Sequence, residues 1–142
     1  MMTLNSFNFN TTPGIRFGSG QAKDACKEIF NKLGSRILFI TDKGLMSLGL
    51  TKPTIEEIKK MASVEVFDDV EADPSQKTLL KAIEIGKKFK TTGVIGFGGG
   101  SSMDVAKLSA LILGSNEDLE KAWGVANAKG PRLPLVLFPT TA

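Results

Sequence analysis

Four short apolar runs constrain this chain more than any other feature: RILFI at Arg36–Ile40, SVEVF at Ser63–Phe67, GVIGF at Gly93–Phe97 and LPLVLF at Leu133–Phe138. Most are rich in Val and Ile, and some lack clean alternation, the pattern of strands covered on both faces. Helical periodicity fills the gaps between them. Ala22, Cys26, Ile29 and Leu33 recur at helical spacing, and Gly34 follows as a stop. Ile55, Ile58 and Met61 mark a second helix, with Pro53 in its first turn. Leu79, Ala82, Ile83, Gly86 and Phe89 mark a third, opened by DPSQ with Asp73 as N-cap and Pro74 at the first helical position. A fourth runs from about Ser102 to Leu113. Strand and helix alternate, so the expected fold is α/β: a Rossmann-like parallel sheet with helices on both faces and right-handed crossovers. The start departs from this pattern. SFNFN and GIRFGSG flank TTPG, which predicts an N-terminal β-hairpin. NAKGPRLP, at Asn127–Pro134, reads as a surface loop.

In a parallel α/β sheet, ligands bind beyond the C-terminal ends of the strands. The stretch GFGGGSSMDVAK, at Gly96–Lys107, lies there. Glycines turn the backbone sharply and admit a phosphate where a Cβ would intrude. The helix that follows aims its free amides and about half a unit of positive charge at the same spot. Ser101 and Ser102 add hydroxyl donors. The stretch matches neither G-x-G-x-x-G, which requires glycine at Ser101 or Met103, nor the Gly-Lys-Ser/Thr of a P-loop. An anion site is therefore expected without its ligand being identified. The structural alternative is a tight turn with Ser101 as N-cap and Asp104 as its capping-box acid, and it leaves three successive glycines without a purpose.

Two further signals lie at strand ends. Asp42 in FITDKG directly follows the first strand, where an acid accepts from ribose hydroxyls, or else caps a short helix. Thr140 and Thr141 end the last strand. Other residues have plainer readings. Cys26 belongs to an apolar helix face, Trp123 anchors a short helix, and Lys107 is a solvated side chain.

Composition excludes several classes. The chain of 142 residues fits one domain, spanning 1–142. Its net charge of +3 is too mild and dispersed to argue for nucleic acid. No window approaches the ~18 uninterrupted apolar residues of a membrane span, and the N-terminus lacks secretory features. One cysteine excludes an intrachain disulfide and suits a reducing cytoplasm. The absence of histidine excludes a His metal ligand, a Ser-His-Asp triad and a Cys-His pair within these residues.

From TPGIRFGSG through ILFITDKGL, VEADPS and GFGGGSSMDVAK to LPLVLFPTTA, the chain resembles the iron-containing (group III) alcohol dehydrogenases. The resemblance implies a Rossmann-like domain that binds NAD, with NADP less favoured. Gly98, Gly99, Gly100 and Ser101 would surround the pyrophosphate, with Ser102 standing where many members carry Pro. Asp42 would sit at the adenosine ribose, Asp104 near the ribose-phosphate portion, and Thr140 and Thr141 along the adenine side. Asp73 matches a position near the nicotinamide end, where many members carry Asn. Members continue past this Thr-Thr-Ala into a helical domain that binds the metal through an Asp and three His. The expectation is therefore a domain truncated before its metal site, without catalytic or metal residues, Fe²⁺ or Zn²⁺ belonging only to the full-length enzyme. The implied partners are the dinucleotide, a small alcohol or aldehyde in the full-length enzyme, and a second copy of the chain, since an uncovered interdomain face favours self-association. Other readings are a stand-alone nucleotide-binding module without turnover, and a relative such as a glycerol dehydrogenase or maleylacetate reductase.

Overall fold

The computed structural model describes residues 12–24, 26–122 and 127–140, with Lys23, Cys26 and Lys27 described by backbone alone. Four strands form one sheet: β1 (Arg36–Ile40), β2 (Ser63–Phe67), β3 (Gly93–Gly98) and β4 (Leu135–Pro139), in the order β2-β1-β3-β4. Every neighbouring pair is parallel. Helices α1 (Gln21–Asp24) and α2 (Cys26–Leu33) precede β1. Helices α3 (Lys43–Ser47) and α4 (Lys52–Lys59) follow it, α5 (Gln76–Phe89) joins β2 to β3, and α6 (Gly100–Ser115) and α7 (Leu119–Ala122) precede β4.

The continuous apolar runs have their cause in two separate cores. Along β1, Ile37 and Phe39 join Phe30, Ile55 and Ile58 of α2 and α4 on one face. Leu38 and Ile40 join Leu79, Ile83, Val105 and Ala110 of α5 and α6 on the other. A strand covered on both sides has no polar face to show, and all four residues are fully buried. Phe97 of β3 lies between Phe39 and Phe138, with ring centroids 5.7 Å apart on each side, which ties β1, β3 and β4 together. Gly96 faces α6 instead. A Cβ there would come within 2.7 Å of the Ala106 Cβ, so this glycine sets how closely α6 approaches the sheet.

Two expectations need correction, at Asp73 and at the hairpin, and the alternative reading of Ser101 as a cap fails. Asp73 does not cap α5. It stands at φ 53°, in the left-handed region, whereas an N-cap needs extended backbone. Ser75, at φ −73° and ψ 159°, is the cap and accepts from the Thr78 amide, leaving Pro74 outside the helix. Ser101 likewise does not cap α6, because the helix begins one residue earlier and Gly99 holds the cap position. Residues 14–20, the second arm of the expected hairpin, belong to no strand, and the first arm lies outside the described residues. The readings of Trp123 and of the Cys26 side chain also fall outside what is described.

Candidate cofactor site

The C-terminal ends of β1 and β3 bring the candidate residues to one edge. At the end of β3, Gly98 adopts φ 150°, a conformation closed to most side chains. A Cβ there would also lie 2.9 Å from Ser102 Oγ and 3.2 Å from Leu45 Cδ1. The glycine therefore allows the first turn of α6 and the side of α3 to close on the strand end. Gly99 is different. Its φ of −79° suits any residue, so the unusual backbone expected of the whole run falls on Gly98. Around Gly100 a Cβ would meet nothing within 4 Å.

At Gly99 no side chain caps α6. A helix leaves its first amides without intrahelical acceptors, so those of Gly100, Ser101 and Ser102 have no acceptor among the described residues. Sixteen aligned peptide units put their positive end there. Ser101 is half-buried beside them. Ser102 is buried beneath the loop, 2% exposed, and packs against Gly98 rather than facing outward. The Thr140 amide donates to the Gly98 carbonyl at 2.9 Å, which joins the end of β4 to the loop. Asp104 is exposed and pairs with Lys107 at 3.1 Å, so Lys107 is solvated but not free. Thr141 lies outside the described residues.

Asp42 caps α3, accepting from the Leu45 amide at 2.9 Å through Oδ1. Its Oδ2 takes no hydrogen bond among the described residues. Capping and ribose recognition are thus compatible uses of one carboxylate. Residue 42 also forms an antiparallel bridge with Asp69, just past β2. The Asp69 carboxylate engages Lys43 through Oδ1 and Lys81 through Oδ2. Those two ammonium groups, Lys43 first, hold its pKa down to about 2. Asp73 is exposed on the same side, on a turn closed by Glu71. Glu71 accepts from the Ser75 amide at 3.0 Å, and Thr78 Oγ1 lies 2.6 and 2.8 Å from its two oxygens. The Ser75 amide and the Thr78 hydroxyl hold Glu71 near pKa 2 as well. Thr41 Oγ1 is buried without a partner beside Asp42. Sequence reading missed Asp69, Glu71 and Thr41. Only Glu71 carried a local signal, an acid within a turn of Ser75 and Thr78.

Glycine loop, open helix end and free carboxylate oxygen suit a phosphate and a ribose together. A metal is another matter. Among the described residues no three His, Cys, Asp or Glu side chains cluster to hold an ion, and the chain has no histidine. An iron centre does not fit these residues. Two clefts, of about 210 Å³ beside Gly34 and Ala62 and about 500 Å³ beside Glu117 and Gly130, lie near the N-terminal ends of the strands instead. The candidate site is an open edge. No helix of the described residues is long and apolar enough to cross a membrane.

A parallel sheet with helices between its strands and a glycine loop beyond the end of a strand is a Rossmann-like α/β domain. The family model for iron-containing alcohol dehydrogenase matches residues 12–142, and the chain belongs to that family. It is 32% identical over 139 residues to a sulfoacetaldehyde reductase of Bilophila wadsworthia, covering 96% of the chain and 36% of that protein. A choline dehydrogenase of Bacillus subtilis is 35% identical over 147 aligned residues, covering 100% of the chain and 36% of that protein. The crystal structure of sulfoacetaldehyde reductase from Bifidobacterium kashiwanohense in complex with NAD⁺ superposes with a TM-score of 0.79. The two are 27% identical, over 96% of the chain and 36% of the other. The chain thus spans about a third of the length of the relatives it matches.

Proposed function

We propose that this chain is the dinucleotide-binding part of an NAD-dependent alcohol dehydrogenase. The observation that carries the reading is the uncapped N-terminus of α6 behind Gly98 and Gly99. The pyrophosphate accepts from the Gly100, Ser101 and Ser102 amides, and the adenosine ribose donates its hydroxyls to Asp42 Oδ2. The strand order puts Asp42 and Asp73 on one side of the loop and Thr140 on the other. A ribose at Asp42 therefore favours Asp73 on the adenosine side and Thr140 toward the nicotinamide, the reverse of the ends expected for them. Thr141 continues the Thr140 side, and Asp104 is left to steer charge from the exposed face of α6. The bound dinucleotide supplies hydride chemistry, while this chain binds and orients it. The single cysteine supports a reducing compartment such as the cytoplasm.

Asp42 favours NAD over NADP. A 2′-phosphate would stand roughly 4 Å from its carboxylate, a repulsion of about 4 kcal/mol at an effective dielectric of 20, or near a thousandfold as an upper figure. Calorimetric titration of the 142-residue chain with each dinucleotide tests this. The expected result is NAD binding with NADP far weaker, and a narrowed gap in Asp42→Gly. Equal affinities would remove Asp42 from the site. The same chain should produce no NADH from primary alcohols or diols with added Fe²⁺ or Zn²⁺, because these residues build no selective metal site to hold and deprotonate the alcohol. Sustained metal-dependent turnover would contradict this.

A further inference from the structure

We propose that Asp69 is a second determinant of NAD preference: it engages Lys43 and Lys81 and so withholds two cations from the ribose 2′ position. The inference rests on the dinucleotide reading above, and it concerns residues that do not touch the glycine loop. Lys43 directly follows Asp42 and opens α3, while Lys81 reaches the same point from α5. Released from Asp69, their long side chains would be free to turn toward the position beside Asp42 where NADP differs from NAD. Lysine is an ordinary partner for phosphate, and a single neighbouring acid at Asp42 would be outnumbered. The antiparallel bridge pairs the backbone of residue 69 with that of residue 42, and residues directly opposite in such a pairing carry their side chains on one face. Asp69 engages one lysine with each oxygen, so neither cation is left over. Both lysines remain more than half exposed, at 72% and 56%, and their long side chains are free to swing once released. Discrimination then has two parts: Asp42 repels the 2′-phosphate, and Asp69 denies it a counter-charge.

The experiment measures the NADP-to-NAD affinity ratio by calorimetry on the 142-residue chain, with folding checked by circular dichroism. In Asp69→Asn, NAD affinity should stay within about twofold and NADP affinity should rise about tenfold, the scale of one charge-assisted contact. The gain should shrink with added salt and vanish when Lys43→Ala and Lys81→Ala are added. An unchanged ratio in a folded Asp69→Asn chain that still binds NAD overturns the proposal and leaves the cofactor reading intact. Failure of the unaltered chain to bind either dinucleotide overturns both. Should Asp69→Asn not fold, the double variant Lys43→Ala/Lys81→Ala decides the matter. With Asp69 present its ratio should match the unaltered chain, and a loss of NADP affinity would show that the lysines were available all along.

Discussion

Helices α5 and α6 lie side by side, and both begin at the C-terminal edge of the sheet. They approach closely where Gly86 of α5 meets Leu113 of α6, since a Cβ at Gly86 would stand 2.6 Å from Leu113 Cδ1. Their N-termini are treated in opposite ways. At α5 the Ser75 hydroxyl accepts from the Thr78 amide at 3.2 Å, and Glu71 accepts from the Ser75 amide and the Thr78 hydroxyl. That end already holds an acid and a cap. At α6 there is only Gly99, and no side chain serves the first turn. Backbone amides near a surface need acceptors, and for the open end none comes from a side chain of the described residues. The faces differ in the same sense. Lys77, Lys81, Lys87 and Lys88 of α5 are exposed, whereas Val105, Ala106, Ser109, Ala110 and Ile112 fix α6 in the interior. The helix with the open end is the more firmly embedded of the two.

The sharpest way to break this contrast is to close the open end. Gly99→Asp fits the existing backbone and supplies the missing cap. It should stabilise the fold by ~0.5 kcal/mol, read by urea denaturation. It should also weaken NAD about a hundredfold or more, because a carboxylate then stands where the pyrophosphate must lie. Unchanged NAD affinity would mean that the dinucleotide does not use this helix end.

Opening the closed end is the smaller, mirror-image change. Ser75→Ala should cost about 1 kcal/mol of stability in the same denaturation experiment. NAD affinity of the folded chain should not move, and a matching loss of affinity would show that both helix ends serve the ligand.

The smallest effect expected is in the acid limb of stability. Asp69 and Glu71 are held at about 2, below their ordinary values of 3.8 and 4.5. Their contribution is therefore present above pH about 4.5 and disappears as pH falls toward 2. Melting temperature should be level near neutrality and decline across that window. Asp69→Asn and Glu71→Gln should each make the decline shallower, and a decline as steep as in the unaltered chain would show that these contacts add nothing in solution.

Much of the fold was legible because burial on both faces forces a strand to be apolar throughout, and β1 shows this in Ile37–Ile40. The end of β3 was legible for another reason. A glycine run before a helix has few uses, although the structure divides it: Gly96 serves packing, Gly98 the turn, and Gly99 the open cap. The cap of α5 was misplaced, and the alternative that put a cap at Ser101 also failed, since Asp73, Ser75, Ser101 and Gly99 are separated only by backbone angles that composition does not encode. Asp73 in the left-handed region illustrates it, a position that Asp and Asn tolerate better than most residues.

By itself the sequence determined the alternation of strand and helix, the parallel sheet, the place of the glycine loop and the absence of histidine ligands. Each follows from local periodicity or residue identity, which are present before the chain folds. Only the tertiary structure decided that Ser102 turns inward beneath Gly98, that Asp42 keeps one oxygen free, and that Lys43, Asp69 and Lys81 meet. Those three residues come from α3, the loop after β2, and α5. Nothing local relates them, and they become neighbours only because the parallel crossovers return every strand end to the same edge.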